Sequence, residues 1–272
     1  MPLAQANGVE LYYEQTGDHG DPILLIHGSW SDHTVWYRVV QGLADNFRVF
    51  AYDKRGHGRS QKVSTQGSGE EDAADASALL SQLGVGPAHI VGNSSGASVA
   101  LKMAIAQPSS IKSLNGHEPP LWDLLEHDPS IVPAFDEANK RKAQAIRVLE
   151  GGDRAGAAEL FVDTMMAAPG TWGKMTPQGR EMMIANADTW LDETKDPNFT
   201  KIDLPPLARF ARPVLLTYGD KGMRGSKMIV EKLARALPNS KVQAFPKDGH
   251  SPHLSNPQGF VRMVTEFARA AV

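Results

Sequence analysis

No cysteine occurs among the 272 residues of this chain. Disulfides, thiolate nucleophiles and cysteine-bound metals are therefore excluded, and the composition fits a reducing compartment. No apolar run approaches the ~20 residues needed to cross a bilayer. No block of like charge is present either. The 28 basic residues stand against 31 acidic ones, a formal net charge of −3, which speaks against a nucleic-acid or membrane surface. The densest basic run, Lys140-Arg141-Lys142, reads as the solvated face of a helix. The N-terminal stretch MPLAQANGVELYYEQTGDHG lacks the basic-then-apolar order of a secretion signal, so a cytoplasmic location is expected. What is there, 41% apolar and 22% charged residues, is ordinary for one large globular domain with a sizeable core.

Residues 9–15 (VELYYEQ) alternate like a half-buried strand, and Asn7-Gly8 before them marks a hairpin turn. Residues 23–26 (ILLI) form a short continuous apolar run, as in a strand buried on both faces. Comparable runs recur at 47–52, 89–91, 111–114 and 214–218, with a less apolar one at 241–245. Helix-like segments lie at 34–44, 71–83, 96–107, 226–237 and 257–271. Strands alternating with helices predict an α/β fold whose mainly parallel sheet is covered on both sides. Between residues 119 and 206 the alternation stops. Only helical patterns occur there, at 131–149, 155–166 and 178–190, bracketed by Pro119-Pro120 and Pro205-Pro206. The expected organisation is a core of residues 1–118 and 207–272 with a helical insertion, 119–206, seated on the sheet. That insertion carries five of the ten methionines and three of the five tryptophans, which suits either an adaptable apolar surface or plain packing.

The stretch VGNSSGAS contains Gly92-Asn93-Ser94-Ser95-Gly96, a G-x-S-x-G pattern centred on Ser94. A strand run precedes it directly and a helix-like segment follows. In that setting the turn is tight enough to force the central residue into a strained conformation, and small residues two positions away on each side avoid clashes. The serine oxygen is lifted clear of the sheet, where the N–H groups of the new helix favour negative charge. Phosphate-binding loop patterns are absent. Ser94 is the candidate nucleophile.

A serine hydroxyl needs a base, and functional groups in such sheets sit on loops at the C-terminal ends of strands. His250, in FPKDGHSPH, follows the last strand run and meets that requirement. Pro252 makes a two-histidine helical metal site with His253 implausible. His27 and His57 read as turn-stabilising residues. An oxyanion hole would draw on the backbone N–H of Ser95 and on the loop at Gly28-Ser29.

With LLIHGSW, YDKRGHGRS, VGNSSGAS, RPVLLTYGD and GHSPHLSNP in this order, the whole chain resembles the α/β-hydrolase superfamily. The resemblance implies an eight-stranded sheet sandwiched by helices, with the insertion as the helical cap. A serine at 94 sets the chain apart from the haloalkane dehalogenase and epoxide hydrolase branches, which carry aspartate there. Most members place the triad acid in G-x-x-D after the seventh strand, but here that stretch reads Gly219-Asp220-Lys221-Gly222. Two carboxylates compete for the role: Asp220, two residues early, and Glu118, in SLNGHEPP at the end of the sixth strand run. Fungal zearalenone lactone hydrolase is similar at the elbow and in its H-E-x-P stretch, and its acid is that glutamate. This resemblance favours Glu118.

These residues imply two-step acyl transfer. Ser94 attacks a carbonyl, His250 takes its proton, Glu118 (or Asp220) orients the histidine, and water releases the acid. Neither a metal nor an organic cofactor is called for. The expected partner is a small-molecule substrate, an apolar ester or lactone of small to medium size bound between sheet and cap. Trp30, Trp122, Trp172 and Trp190 are candidate pocket-lining residues. The same triad also suits hydrolysis of a carbon–carbon bond or cofactor-free peracid formation. The glycine at 222 leaves open a non-catalytic binder of small ligands. Oligomeric state is not legible.

Overall fold

The computed structural model of the chain describes residues 2–63, 67–166, 169–222 and 225–271, the side chain of Met166 excepted. A hairpin opens the chain: β1 (Leu3–Ala6) turns into β2 (Val9–Thr16) through Asn7 and Gly8, both at positive φ as a tight two-residue turn requires. The short β1 carries no apolar run and escapes the strand reading of the sequence. Strands β3 (Asp21–Ile26), β4 (Phe47–Tyr52), β5 (Ala88–Asn93), β6 (Ile111–His117), β7 (Val214–Gly219) and β8 (Ser240–Phe245) complete an eight-stranded sheet. Its spatial order is β1-β2-β4-β3-β5-β6-β7-β8. The pairs β1–β2 and β2–β4 are antiparallel and all later pairs parallel.

The α-helices are α1 (Val40–Ala44), α2 (Gly69–Leu83), α3 (Ser95–Ala106), α4 (Val132–Glu150), α5 (Arg154–Phe161), α6 (Pro177–Ala185), α7 (Ala187–Lys195), α8 (Leu204–Leu207), α9 (Ser226–Ala236), α10 (Pro252–Ser255) and α11 (Pro257–Ala270). The expected helix at 34–44 is instead a 3-10 turn, His33–Trp36, followed by the short α1. The expected helix at 178–190 is broken at Asn186 into α6 and α7.

Side chains of each buried strand alternate between two cores. Leu24 and Ile26 of β3 join the cluster under α2, α3 and α9, while Ile23 and Leu25 face Trp36, Leu43 and Phe260 on the side of α1 and α11. The sheet is thus buried on both faces. A third cluster belongs to the cap: Ala145, Leu149, Ala157, Ala158, Val162, Met183, Ala187 and Trp190 pack together with Trp30 from the core. The two ends of the insertion behave differently. Leu121, Leu125 and Ile131 near its start are buried in the cluster beneath α2, α3 and α9, and Ile202 and Leu204 near its end pack against that cluster.

Chain order reverses around β3, whose neighbours are β4 on one side and β5 on the other. A crevice opens there at the C-terminal ends of the strands. The register pairs Ile26 with Gly92, Asn93 with His117 and His117 with Thr217. The residues just beyond these ends, Gly28-Ser29, Ser94, Glu118 and Gly219, therefore emerge along one edge of the sheet.

Candidate active site

Ser94 lies between β5 and α3 at φ +55° and ψ −126°, a left-handed conformation that a residue with a Cβ rarely adopts. The two glycines of the pattern make this turn possible. A Cβ on Gly92 would collide with the backbone of Gly96 and lie 2.6 Å from Ala97 N; one on Gly96 would collide with Ile26 O and lie 2.6 Å from His27 O. Strand β5, the start of α3 and the end of β3 are thus in backbone contact, and Ser94 projects between them. Its N–H donates to His117 O at 2.8 Å, tying the turn to β6.

Glu118, the residue that follows β6, is completely buried and also held at positive φ, +45°. Its Oε2 accepts from His250 Nδ1 at 2.7 Å, and its Oε1 accepts from the N–H of Gly219 at 3.0 Å. Burial pushes the Glu118 carboxyl up, but the hydrogen bond and charge of His250, with His117 and the Gly219 N–H, outweigh it and hold the group below its ordinary value. It is a carboxylate at neutral pH, so the proton of the pair sits on Nδ1 and leaves His250 Nε2 to act as the acceptor. His250 itself is fixed from behind, its carbonyl accepting from Asn93 Nδ2 at 3.0 Å. Asp220, the other candidate acid, is exposed, and its N–H donates to Phe245 O at 3.3 Å. The structure brings Glu118, not Asp220, onto His250.

Gly28 packs on Ser94: a Cβ there would approach Ser94 Cβ to 3.0 Å. His27 Nε2 accepts from Lys54 N at 3.0 Å, which leaves the ring proton on Nδ1, 2.8 Å from Gly28 O. Burial, helped by the charge of Lys54, lowers the His27 pKa to about 4 and keeps the ring neutral. In one planar peptide the Gly28 carbonyl and the Ser29 N–H point in opposite directions. Holding the carbonyl therefore aims that N–H. His27, expected only to stabilise a turn, thus fixes the Gly28-Ser29 peptide, with Lys54 N holding its other ring nitrogen. Ser95, which supplies the other expected donor, opens α3, where the first N–H groups lack partners within the helix.

Ser29, Ser94 and His250 line one cleft of about 900 Å³ between sheet and cap. A match to the description "Alpha/beta hydrolase family" spans residues 23–263. The chain belongs to the alpha/beta hydrolase family. Among curated relatives, the uncharacterized hydrolase YraK of Bacillus subtilis (strain 168) is 36% identical over 124 residues, 44% of this chain and 45% of that one. The chain thus covers less than half the length of that relative. The pimeloyl-[acyl-carrier protein] methyl ester esterase of Nitrosospira multiformis is 23% identical with 96% of this chain and 99% of that protein covered. A solved structure of Est816, described as an N-acyl homoserine lactone degrading enzyme, shares 24% identity at a TM-score of 0.76, covering 98% of this chain and all of that one.

In this alpha/beta hydrolase only two of the four tryptophans expected at the pocket line the cleft. Trp190 does, edge-on to Phe161 and tilted against Trp30, and so does Trp122, edge-on to Phe135. Trp30, at φ +61°, is buried in the cap cluster and bridges it to the Gly28-Ser29 loop. Trp172 packs against the same cluster, and its backbone N–H donates to Asp163 at 2.7 Å. Both pack rather than line, because the cap needs a core of its own. Phe135, Phe161, Phe199 and Lys142 also stand in the cleft wall, and no motif marks them in the sequence. Among the described residues no helix is long and apolar enough to cross a membrane.

Proposed function

We propose that this hydrolase is a serine carboxylic ester hydrolase, cleaving an ester or lactone through an acyl-enzyme. The buried Glu118–His250 hydrogen bond of 2.7 Å, one strand away from a serine on a strained turn, carries this assignment. Ser94 Oγ attacks the carbonyl carbon while its proton passes to His250 Nε2. The negative oxygen is held by the N–H groups of Ser29 and Ser95. The intermediate collapses, the bond to the alkoxy oxygen breaks, and His250 returns the proton to that oxygen. Water then gives a proton to Nε2, attacks the acyl carbon and releases the acid, restoring Ser94. Glu118 remains ionised throughout and stabilises the imidazolium. An esterase and a lactone-degrading enzyme among the similar proteins are consistent with this chemistry, although likeness at 23% and 24% identity speaks for the fold alone.

Hydrolysis of p-nitrophenyl butyrate by wild type and Ser94→Ala tests the assignment. The variant is expected to lose about 10⁴-fold or more in kcat. Equal rates in the two proteins would take the serine out of the mechanism.

A further inference from the structure

On α4 and the residue that precedes it, the inward-facing positions are Ile131, Phe135, Ala138, Lys142, Ala145 and Leu149, separated by three or four residues as one stripe of a helix requires. Ile131 is buried in the main core and Ala145 and Leu149 in the cap cluster. Lys142 is the single charged member of this stripe. It is half-buried and lines the cleft that holds Ser94 and His250, in company with Ile131, Phe135 and Ala138. The basic run is therefore divided: Lys140 and Arg141 are exposed, and Lys142 is turned inward. The small side chains of Ala138 and Ala145, one helical turn to each side, leave room for its aliphatic stem.

Among the described residues no hydrogen bond or ion pair reaches Lys142, and the nearby charges are engaged elsewhere. Arg141 is held by Glu137 at 3.1 Å and Thr164 O at 2.7 Å, Asp123 accepts from the Thr200 hydroxyl, and Glu193 binds Lys54 at 2.9 Å. The remaining carboxylates of the cleft, Glu126 and Asp136, are exposed at its rim, where water and salt screen them. Burial lowers the Lys142 pKa below the ordinary lysine value, against the opposing fields of Asp123 and Glu193. A partly desolvated, unpaired cation gains most from an anion that reaches it.

We propose, taking the cleft to be that of a serine hydrolase, that Lys142 is a specificity-determining residue that receives a substrate carboxylate remote from the scissile bond. The substrate is then an amphipathic ester or lactone acid rather than a simple apolar ester: Trp122, Phe135 and Trp190 cover its apolar body and Lys142 its charged end.

Three esters test this: p-nitrophenyl hexanoate, mono-p-nitrophenyl adipate with the charge on the acyl side, and 4-carboxyphenyl hexanoate with the charge on the leaving group. Wild type is expected to favour at least one anionic ester in kcat/KM, and Lys142→Met to lower that preference about tenfold through KM, with Lys142→Arg restoring part of it. Preference for the neutral ester over both others, or a ratio unchanged in Lys142→Met, overturns the proposal. Calorimetric binding of monomethyl adipate to Ser94→Ala and to Ser94→Ala/Lys142→Met needs no turnover. Binding about tenfold weaker in the double variant supports the role of Lys142 even if no ester is hydrolysed, in which case only the serine-hydrolase assignment falls. Equal binding by the two variants overturns it whatever the rates show.

Discussion

A Cβ at position 222 would collide with Glu118 Oε1 and lie 2.8 Å from its carboxyl carbon. The glycine thus stands where the family pattern that the sequence resembles calls for aspartate. It vacates the volume that the Glu118 carboxylate fills, and the two acid positions exclude one another. Gly222→Ala should displace that carboxylate and lower kcat by about 10²-fold or more, whereas Glu118→Ala should approach ~10⁴-fold. If one volume serves both positions, Glu118→Ala/Gly222→Asp should recover part of what Glu118→Ala loses. A double variant no better than Glu118→Ala would show that the exchange needs more than space. The sequence could name both carboxylates but not choose from the residues alone, because spacing along the chain does not reveal which side chains compete for one volume. Ser94 and His250 were easier to read, since a glycine pattern at a strand end and a histidine after the last strand are local signals. Trp30 and Trp172 were not, since nothing local distinguishes a tryptophan that packs from one that lines a cleft.

The cap helix α7 meets the core through buried charge. Lys54, 1% exposed, reaches from the end of β4 to Glu193 on α7 at 2.9 Å and to Asp72 on α2 at 3.2 Å. Close by, Asn186 at the break between α6 and α7 accepts from Gly58 N at 2.8 Å and donates to Met182 O at 2.9 Å. This explains why a continuous helical pattern over 178–190 became two helices. The side chain that breaks it is paid for by contacts with a loop 128 residues away in sequence, which no helix periodicity can register. The buried strands β3 to β7 were legible, by contrast, because parallel strands covered on both faces must be apolar throughout. Removing one partner of a buried pair leaves charge uncompensated, so Glu193→Ala should cost about 3 kcal/mol, softened by the remaining Asp72. Arg154→Ala, which breaks an exposed pair with Asp188 on the same helix, should leave the midpoint unmoved within error. Urea unfolding of the two variants separates them; equal losses would mean that the Lys54 pair anchors nothing.

For the whole molecule, the two carboxyls singled out by their surroundings respond to pH in opposite senses. Glu118 is held below its ordinary value in the folded state. Its contribution to stability is present above the unfolded carboxyl pKa and lost as pH falls through the folded one. Asp72 lies the other way. Burial lifts its pKa to about 6, with the field of Glu193, and the attraction of Lys54 only partly restrains the rise. The folded protein therefore binds a proton at Asp72 that the unfolded chain has already released between its ordinary value near ~3.9 and about 6. The contribution of Asp72 to stability is full below that window and is lost as pH rises through it. Asp72→Asn cannot titrate and retains a polar side chain beside Lys54, which Glu193 still pairs. The stability of this variant relative to wild type should accordingly climb with pH, by at most roughly 2–3 kcal/mol from pH ~4.5 to ~7.5. Urea midpoints of both proteins at those two pH values measure the change. A difference that stays constant, or one that shrinks toward pH ~7.5, would mean that Asp72 is ionised throughout and that Lys54, rather than burial, governs this seam between cap and core.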